Sequence, residues 1–319
     1  MRRTLVALLT AATLLGAAAC NSNDSGGGAA ASGPDKVNVG VIPIVDVAPI
    51  YLGKQQGFFS KRNIDLNLQL AQGGAAIVPA VVSGQYQFGF SNVISLLLAQ
   101  KNGLPLKVVS NGVNSTGVEG KDFGGVVVNG DSPIQSPKDL VGKTVAANTL
   151  KNIVDTTVRE SVRKDGADPS GVKFVEMPFP DMPAALKGNK VDAIFVVEPF
   201  LSAAKAQGGR VIASSYVDAA KDLAVALYFT STDLIKNNSG LVKRFQDAMA
   251  ESLAYADAHP DEVRGVLSTY TQIKPEQAKA LTLPKWPAEI NKASVQALAD
   301  LAVKDGLLTA PPDLAALLP

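Results

Sequence analysis

Apolar and polar positions along the chain change period repeatedly, from two to about 3.6 and back, which marks alternating strands and helices. Val37 to Ile42 has the pattern of a buried strand and stops at Pro43. Ile50 to Gln56 reads as a short helix, closed by Gly57 with Phe58 and Phe59 beneath it. Asp65 to Leu70 alternates strictly and predicts a strand. Gln72, Gly73 and Gly74 then lead into a helix over 75–82, despite Pro79. Phe88 to Phe90 predicts a strand emptying into Ser91 and Asn92, and the next helix runs from Val93 to Gln100. Further strands are expected at 106–109 and 125–128. This succession predicts an α/β fold with mostly parallel pairing.

A second unit of the same build follows. Ser136, Pro137 and Asp139 form a helix start, with a serine cap, proline in the first turn and an acid near the positive end. Strands are expected at 143–147, 172–175 and 193–197, and helices at 150–165 and 181–186. In the helix over 150–165, Ile153, Val154, Val158 and Val162 share one face. Gly84 and Asn189 each precede a strand, and both residue types adopt left-handed turns readily. After a strand at 225–230 the chain turns helical, with Leu241, Phe245, Met249, Leu253 and Ala256 as a core stripe. Two more helices are expected, over 275–281 and 291–304. The expected division is 37–128 plus 229–319 for one lobe and 129–228 for the other. Crossings near 128 and 228 would make a two-stranded hinge.

The N-terminal segment has a different character. Arg2 and Arg3 precede an apolar run from Leu5 to Leu15, and small residues lead up to Cys20. This predicts a secretory signal over residues 1–19, shorter in its apolar core than the roughly 20 residues of a membrane span. It resembles a bacterial lipoprotein signal, in which the cysteine is acylated and becomes the new N-terminus. Ordinary cleavage at the same place would instead leave a free N-terminal cysteine. Residues 20–36, rich in Gly, Ser, Ala and Asn, read as a flexible tether. The anticipated localisation is the extracytoplasmic face of a membrane, with lipid as a partner through Cys20.

Composition narrows the chemistry. Of 319 residues, 30 are Lys or Arg and 29 are Asp or Glu, a formal net charge of +1 that argues against a nucleic-acid surface. Cys20 is the single cysteine and His259 the single histidine, so zinc or copper sites and disulfides are not expected, nor is a cofactor. A serine nucleophile would lack its usual base, and His259 falls at a helix terminus. Gly112 and Gly117 have phosphate-loop spacing, but Val118 and Glu119 stand where lysine and a hydroxyl are required.

Ligands of open α/β sheets bind at the carboxyl ends of strands, where helix N-termini present unpaired N–H groups. Those ends here are Ile44 to Ala48, Gln72 to Gly74, Ser91 with Asn92, Asn148 with Thr149, and Glu198 with Pro199. Each also has a structural reading. Gly73 and Gly74 suit a turn, Ser91 and Thr149 suit helix caps, Asp46 suits a capping acid, and Glu198 a solvated rim. If both Asp46 and Glu198 face the cleft, the ligand should carry an amine or other N–H donors, because an anion would meet two carboxylates.

Four segments in order carry a family resemblance: Ala48 to Phe59, Gln85 to Gly89 after Gly84, Ser136 to Val145, and Val191 to Ala193 with Glu198 to Phe200. They resemble the nitrate, sulfonate, taurine and thiamine-pyrimidine-precursor binding proteins of ABC importers. The resemblance implies a two-lobed, type II periplasmic-binding-protein fold that captures a small organic solute by hinge closure. Its expected partners are an ABC permease with its ATPase, and the expected state is a monomer without enzymatic activity. It carries solute contacts to Val45, Asp46, Gly73, Gly74, Ser91, Asn92, Thr149, Asn152 and Glu198. Gln87 departs from the family's frequent aspartate, and no arginine occurs in the five loops, which counts against nitrate or bicarbonate. Two alternatives remain at this stage: a pyrimidine-precursor enzyme on the same fold, whose cysteine-rich motif is missing here, and a tethered sensory receptor.

Overall fold

The structure, a computed structural model, describes residues 33–319. The predicted leader, Cys20 and most of the predicted tether lie outside the described residues. The strand expected from Val37 begins earlier, at Asp35. The expected tether end at 36 therefore moves back. Arg244 makes an ion pair with Asp35 and secures that strand start to a later helix.

One sheet contains β1 (Asp35–Val41), β2 (Ile64–Leu70), β3 (Phe88–Asn92), β4 (Leu106–Asn114) and β10 (Ala224–Ser231), in the order β2-β1-β3-β10-β4. The other contains β5 (Gly124–Asn129), β6 (Thr144–Ala147), β7 (Lys173–Glu176), β8 (Ala193–Val197) and β9 (Gly209–Ala213), in the order β7-β6-β8-β5-β9. The two orders are equivalent. In each, three strands pair in parallel and a strand delivered by a crossover, β10 or β5, inserts antiparallel beside the third. These sheets are mixed and the fold is two-lobed. All residues of β8 and β10 are buried, as central strands covered on both faces require.

The strand positions correct the expected lobe boundaries. Residues 124–129 pair within the second sheet and 224–231 within the first. The crossings therefore lie at 115–123 and 214–223, a few residues before 128 and 228. Apolar patterning finds strands but does not reveal which sheet they join. The two crossings run side by side: Ser115 N–H donates to Leu223 O at 2.8 Å, and Gly120 N–H donates to Ser214 Oγ at 2.9 Å. Asp122 organises the first crossing, accepting from Ser115 Oγ at 2.7 Å and Thr116 N–H at 2.9 Å.

The helices in chain order are α1 (Ala48–Gln55), α2 (Gly74–Val82), α3 (Val93–Lys101), α4 (Ile153–Lys164), α5 (Met182–Lys187), α6 (Phe200–Ala206) and α7 (Ser215–Ala219). They continue as α8 (Thr232–Asn237), α9 (Ser239–Ala258), α10 (Pro260–Leu267), α11 (Pro275–Ala278), α12 (Lys292–Lys304) and α13 (Leu314–Leu317). The predicted stripe of α9 is buried from Leu241 to Ala256, and Phe245 stacks on Phe88 with ring centres 3.7 Å apart. Gly84 and Asn189 both have positive φ, of 81° and 52°, as expected of these turns.

Several elements differ from expectation for local reasons. The helix predicted from Leu150 starts at Ile153, because Lys151 takes a left-handed φ of 53° and Asn152 caps Val154 N–H at 2.9 Å. Pro137–Leu140 is only a 3-10 turn, although Ser136 N–H does bond Asp139 Oδ2 at 3.1 Å. The helix at 275 ends after one turn. The short edge strand β9 and helices α7, α8 and α10 are too brief for their apolar positions to show a clear period in sequence.

Helix α1 packs on α9 through a glycine contact. A methyl group at Gly53 would lie 1.9 Å from Ser252 Oγ, 2.8 Å from Ser252 Cβ and 3.0 Å from Phe59 Cε2. Gly53→Ala is expected to lower stability by about 1–2 kcal/mol, overpacking outweighing the gain in helix propensity. Adding Ser252→Gly should restore most of the loss, as thermal denaturation of the single and double variants will measure.

Candidate functional site

The carboxyl ends of β1 and β3 face those of β6 and β8 across the two lobes. A cavity of about 30 Å³ lies between them, lined from the first lobe by Ile42, Ile44, Asp46, Phe90, Asn92 and the β10 residues Val225 and Ala226. The second lobe contributes Asn148, Asn152, Ile153, Val154, Phe179 and Val197, and Tyr216 comes from the second crossing. This volume suits one water-sized group, so anything larger enters only if the lobes separate.

Each polar wall residue is positioned by its element. Asp46 sits in the 3-10 turn Val45–Val47 after β1, and its backbone is held on both sides. Val45 N–H donates to Glu198 O across the lobes at 3.0 Å, and Trp286 Nε1–H donates to Asp46 O at 3.1 Å. Asn92 caps α3, accepting from Ser95 N–H at 3.0 Å. Asn152 caps α4 and donates to Asn148 Oδ1 at 3.2 Å, while Asn148 Nδ2 reaches Gln72 O of the first lobe at 3.4 Å.

The sequence profile described as NMT1/THI5 like matches residues 44–263, more than half of the chain. The chain belongs to the NMT1/THI5-like family. It is 23% identical over 229 residues to the taurine-binding periplasmic protein of Escherichia coli (strain K12), covering 70% of this chain and 68% of that protein. Its fold is similar to the alkanesulfonate-binding protein SsuA from Xanthomonas axonopodis pv. citri bound to MOPS. That match has a TM-score of 0.74, 18% identity and coverage of 90% of this chain and 99% of the other. The periplasmic nitrate-binding protein NrtA from Synechocystis PCC 6803 gives a TM-score of 0.74 at 17% identity, covering 89% and 86%.

Within this NMT1/THI5-like chain, the cavity brings together Asp46, Asn92 and Asn152 among the expected contacts. The others surround it without lining it. Val45 is buried and used as a backbone donor to Glu198. Gly73 lies opposite Thr149: a Cβ at Gly73 would come within 2.5 Å of Thr149 Oγ1. Ser91 is fully buried beneath Gly74, where a Cβ would lie 1.8 Å from Ser91 Oγ. That contact lets the first turn of α2 approach β3. Glu198 turns inward, accepting from Ser202 N–H at 3.0 Å, Ser202 Oγ–H at 2.9 Å and Thr282 N–H at 3.4 Å. Its carboxylate therefore ties the start of α6 to the segment after α11, and not to the cavity.

Sequence reading missed Tyr216 and Phe179 as wall residues, and placed Asn148 in a strand-end loop without naming it a contact. Asn148 carried a signal, since it ends a strand beside Thr149. Tyr216 carried none, because α7 and its place at the crossing are not visible in apolar periodicity.

The electrostatics of the site are acidic. Burial pushes the Asp46 carboxyl up to about 7, opposed by its own backbone N–H and reinforced by nearby Asp122. Burial also raises Asp122 and Glu198, each held back by its hydrogen bonds. Among the described residues, no Lys, Arg or His lines the cavity. Among the described residues, no three His, Cys, Asp or Glu side chains converge as a metal site.

A second interlobe contact lies away from the cavity. Arg163 of α4 pairs with Asp305 beyond α12, and Glu160 accepts from Arg163 at 2.7 Å and approaches Lys304 at 3.8 Å. Since α12 packs on α3 and β10, this cluster bridges the lobes. Replacing Glu198 by alanine should lower stability by about 1–3 kcal/mol, because the half-buried Ser202 N–H and Oγ–H and the Thr282 N–H lose their acceptor. Chemical denaturation of that variant is the measurement.

Proposed function

We propose that the protein is the extracytoplasmic solute-binding receptor of an ABC importer. The open form binds a small organic solute on one lobe, and contacts from the other lobe favour closure by rotation about the paired crossings. The closed lobes then present a joint face to a permease with its ATPase. Supporting this is one observation above all: Asp46 and Asn92 from one lobe and Asn148 and Asn152 from the other line the same cavity. The names of relatives, which bind taurine, alkanesulfonate and nitrate, point the same way. A binding role, and not an enzymatic one, agrees with relatives that are named for binding. We further propose that the chain is anchored by an acylated Cys20 and acts as a monomer.

The test is native mass spectrometry of the protein purified from its own source without denaturation. One small molecule per chain should be released on unfolding, and adding it back should shrink the radius of gyration in X-ray scattering. A chain that retains no molecule and does not contract with any solute of a nutrient library would refute the receptor reading. Mass analysis of the N-terminal peptide decides the anchor: acyl mass on Cys20 supports it, and a free thiol there opposes it.

A further inference from the structure

We infer that the cavity takes a solute whose inner end is a protonated amine or an equivalent cationic N–H group, seated on Asp46, with an apolar body beside it. This rests on the receptor reading and specifies the class of solute. Relatives are named for taurine, alkanesulfonate and nitrate, which all carry an anionic group; the inference differs in seating a cationic end on Asp46.

The starting observation is an unsatisfied acceptor. Asp46 is 2% exposed, lines the cavity, and its Oδ1 is buried with no hydrogen-bond partner. A buried carboxylate oxygen without a donor is costly, so it persists where something else supplies the donor. The side chain cannot easily swing out to water, because Val45 N–H and Asp46 O are both bonded to distant segments.

The remaining wall amides are largely committed to the protein. Asn92 both accepts from Ser95 N–H and donates to Ser95 Oγ, each at 3.0 Å. Asn152 accepts from Val154 N–H and donates to Asn148, which in turn donates to Gln72 O. They shape the wall and leave Asp46 as its charged acceptor.

Among the described residues, no cation is coupled to Asp46, and the three phenols nearby are kept neutral by burial. The ionisable groups that feel it are Asp122, Tyr216, Tyr228 and Tyr270, a carboxyl and three phenols. Tyr228 Oη is itself buried without a partner. A sulfonate or nitrate here would face Asp46, with Asp122 near enough to add to its field, and among the described residues would find no lysine or arginine on the wall. An ammonium would neutralise the carboxylate and supply its missing donor. The other wall groups, Ile42, Ile44, Phe90, Phe179 and Val197, would flank an aliphatic or aromatic body once the lobes part far enough to admit it.

The experiment uses matched probes on the purified protein: n-butylammonium and phenethylammonium against butane-1-sulfonate and nitrate, by calorimetry from pH 6 to pH 8. The ammonium probes should bind, more tightly as pH rises and Asp46 ionises. Asp46→Asn should weaken them roughly 10- to 100-fold, the loss expected for a charged hydrogen bond. Thermal denaturation of the variant confirms that it folds, and the pH trend of the unaltered protein supplies an independent reading. Binding of butane-1-sulfonate or nitrate that survives Asp46→Asn overturns the amine class and leaves the receptor standing. So does ammonium binding that fails to tighten with rising pH, which would mean that the ionised Asp46 carboxylate is not what holds the ammonium. If no probe binds and no solute accompanies the purified protein, both readings fall.

Discussion

Asp46→Asn, stripped of bound solute, should unfold at a higher temperature than the unaltered protein at pH 8 and at about the same temperature near pH 4. Asp46 has an ordinary carboxyl value of 3.8 when unfolded and one raised to about 7 by burial when folded. Between those values the folded state keeps a proton that the unfolded state has lost, so stability falls as pH rises from about 4 to 7. Below this window both states are protonated and the difference vanishes. Above it the penalty levels off, at most about 4 kcal/mol, since each pKa unit corresponds to about 1.36 kcal/mol. For a domain of this size that is about 8 °C at the upper limit. Asparagine keeps the shape and never ionises, so its melting temperature should lack most of this decline. It will not be entirely flat, because burial also raises Asp155 to about 6, in the same direction. A melting series across pH 4–8 with both proteins makes the comparison. Equal slopes would show that Asp46 is ionised at ordinary cost. A variant gaining stability while losing solute would mark a site where stability is sacrificed to binding.

Gly73→Val should weaken solute binding about 10- to 100-fold while leaving the unliganded melting temperature nearly unchanged. Gly73 has an extended φ of −178°, which valine adopts without strain, so the lobe itself has no reason to object. What a side chain would meet is the other lobe, with Thr149 Oγ1 2.5 Å and Asn148 Nδ2 3.3 Å from a Cβ. Alanine could be accommodated by rotation of Thr149, whereas the branched side chain fills that path as well. The closed arrangement is then penalised, and apparent affinity falls with the population able to close. X-ray scattering should show the variant remaining extended at solute concentrations that contract the unaltered protein. Adding Thr149→Gly should recover part of the contraction. If Gly73→Val binds and contracts normally, the two lobes do not meet at this point during capture.

Both predictions concern contacts that sequence reading could only approach. Asp46 was identifiable as a polar residue at a strand end, yet its missing partner appears only once Val45, Trp286 and the cavity wall are in place. Sequence places Glu198 at a strand end facing the cleft, but Ser202 and Thr282 claim its carboxylate, and Thr282 is 84 residues away in sequence. Gly73 was read as a turn or a place of ligand approach. The structure adds that its bareness also makes room for the other lobe.

The sequence by itself determined the two-lobed α/β architecture. Strand and helix periods are set by local side-chain geometry, and they survive in nearly every element from β1 to α9. It also named the loops at the strand ends, because residues that leave a buried strand for a helix start must be small or polar. Only the tertiary structure decided that 124–129 and 224–231 exchange lobes, that Tyr216 reaches the wall, and that Asp46 stands with no cation beside it. Those outcomes depend on contacts between segments far apart in the chain. Hydrophobic period carries no information about which strand pairs with which, or about which buried charge is left unanswered.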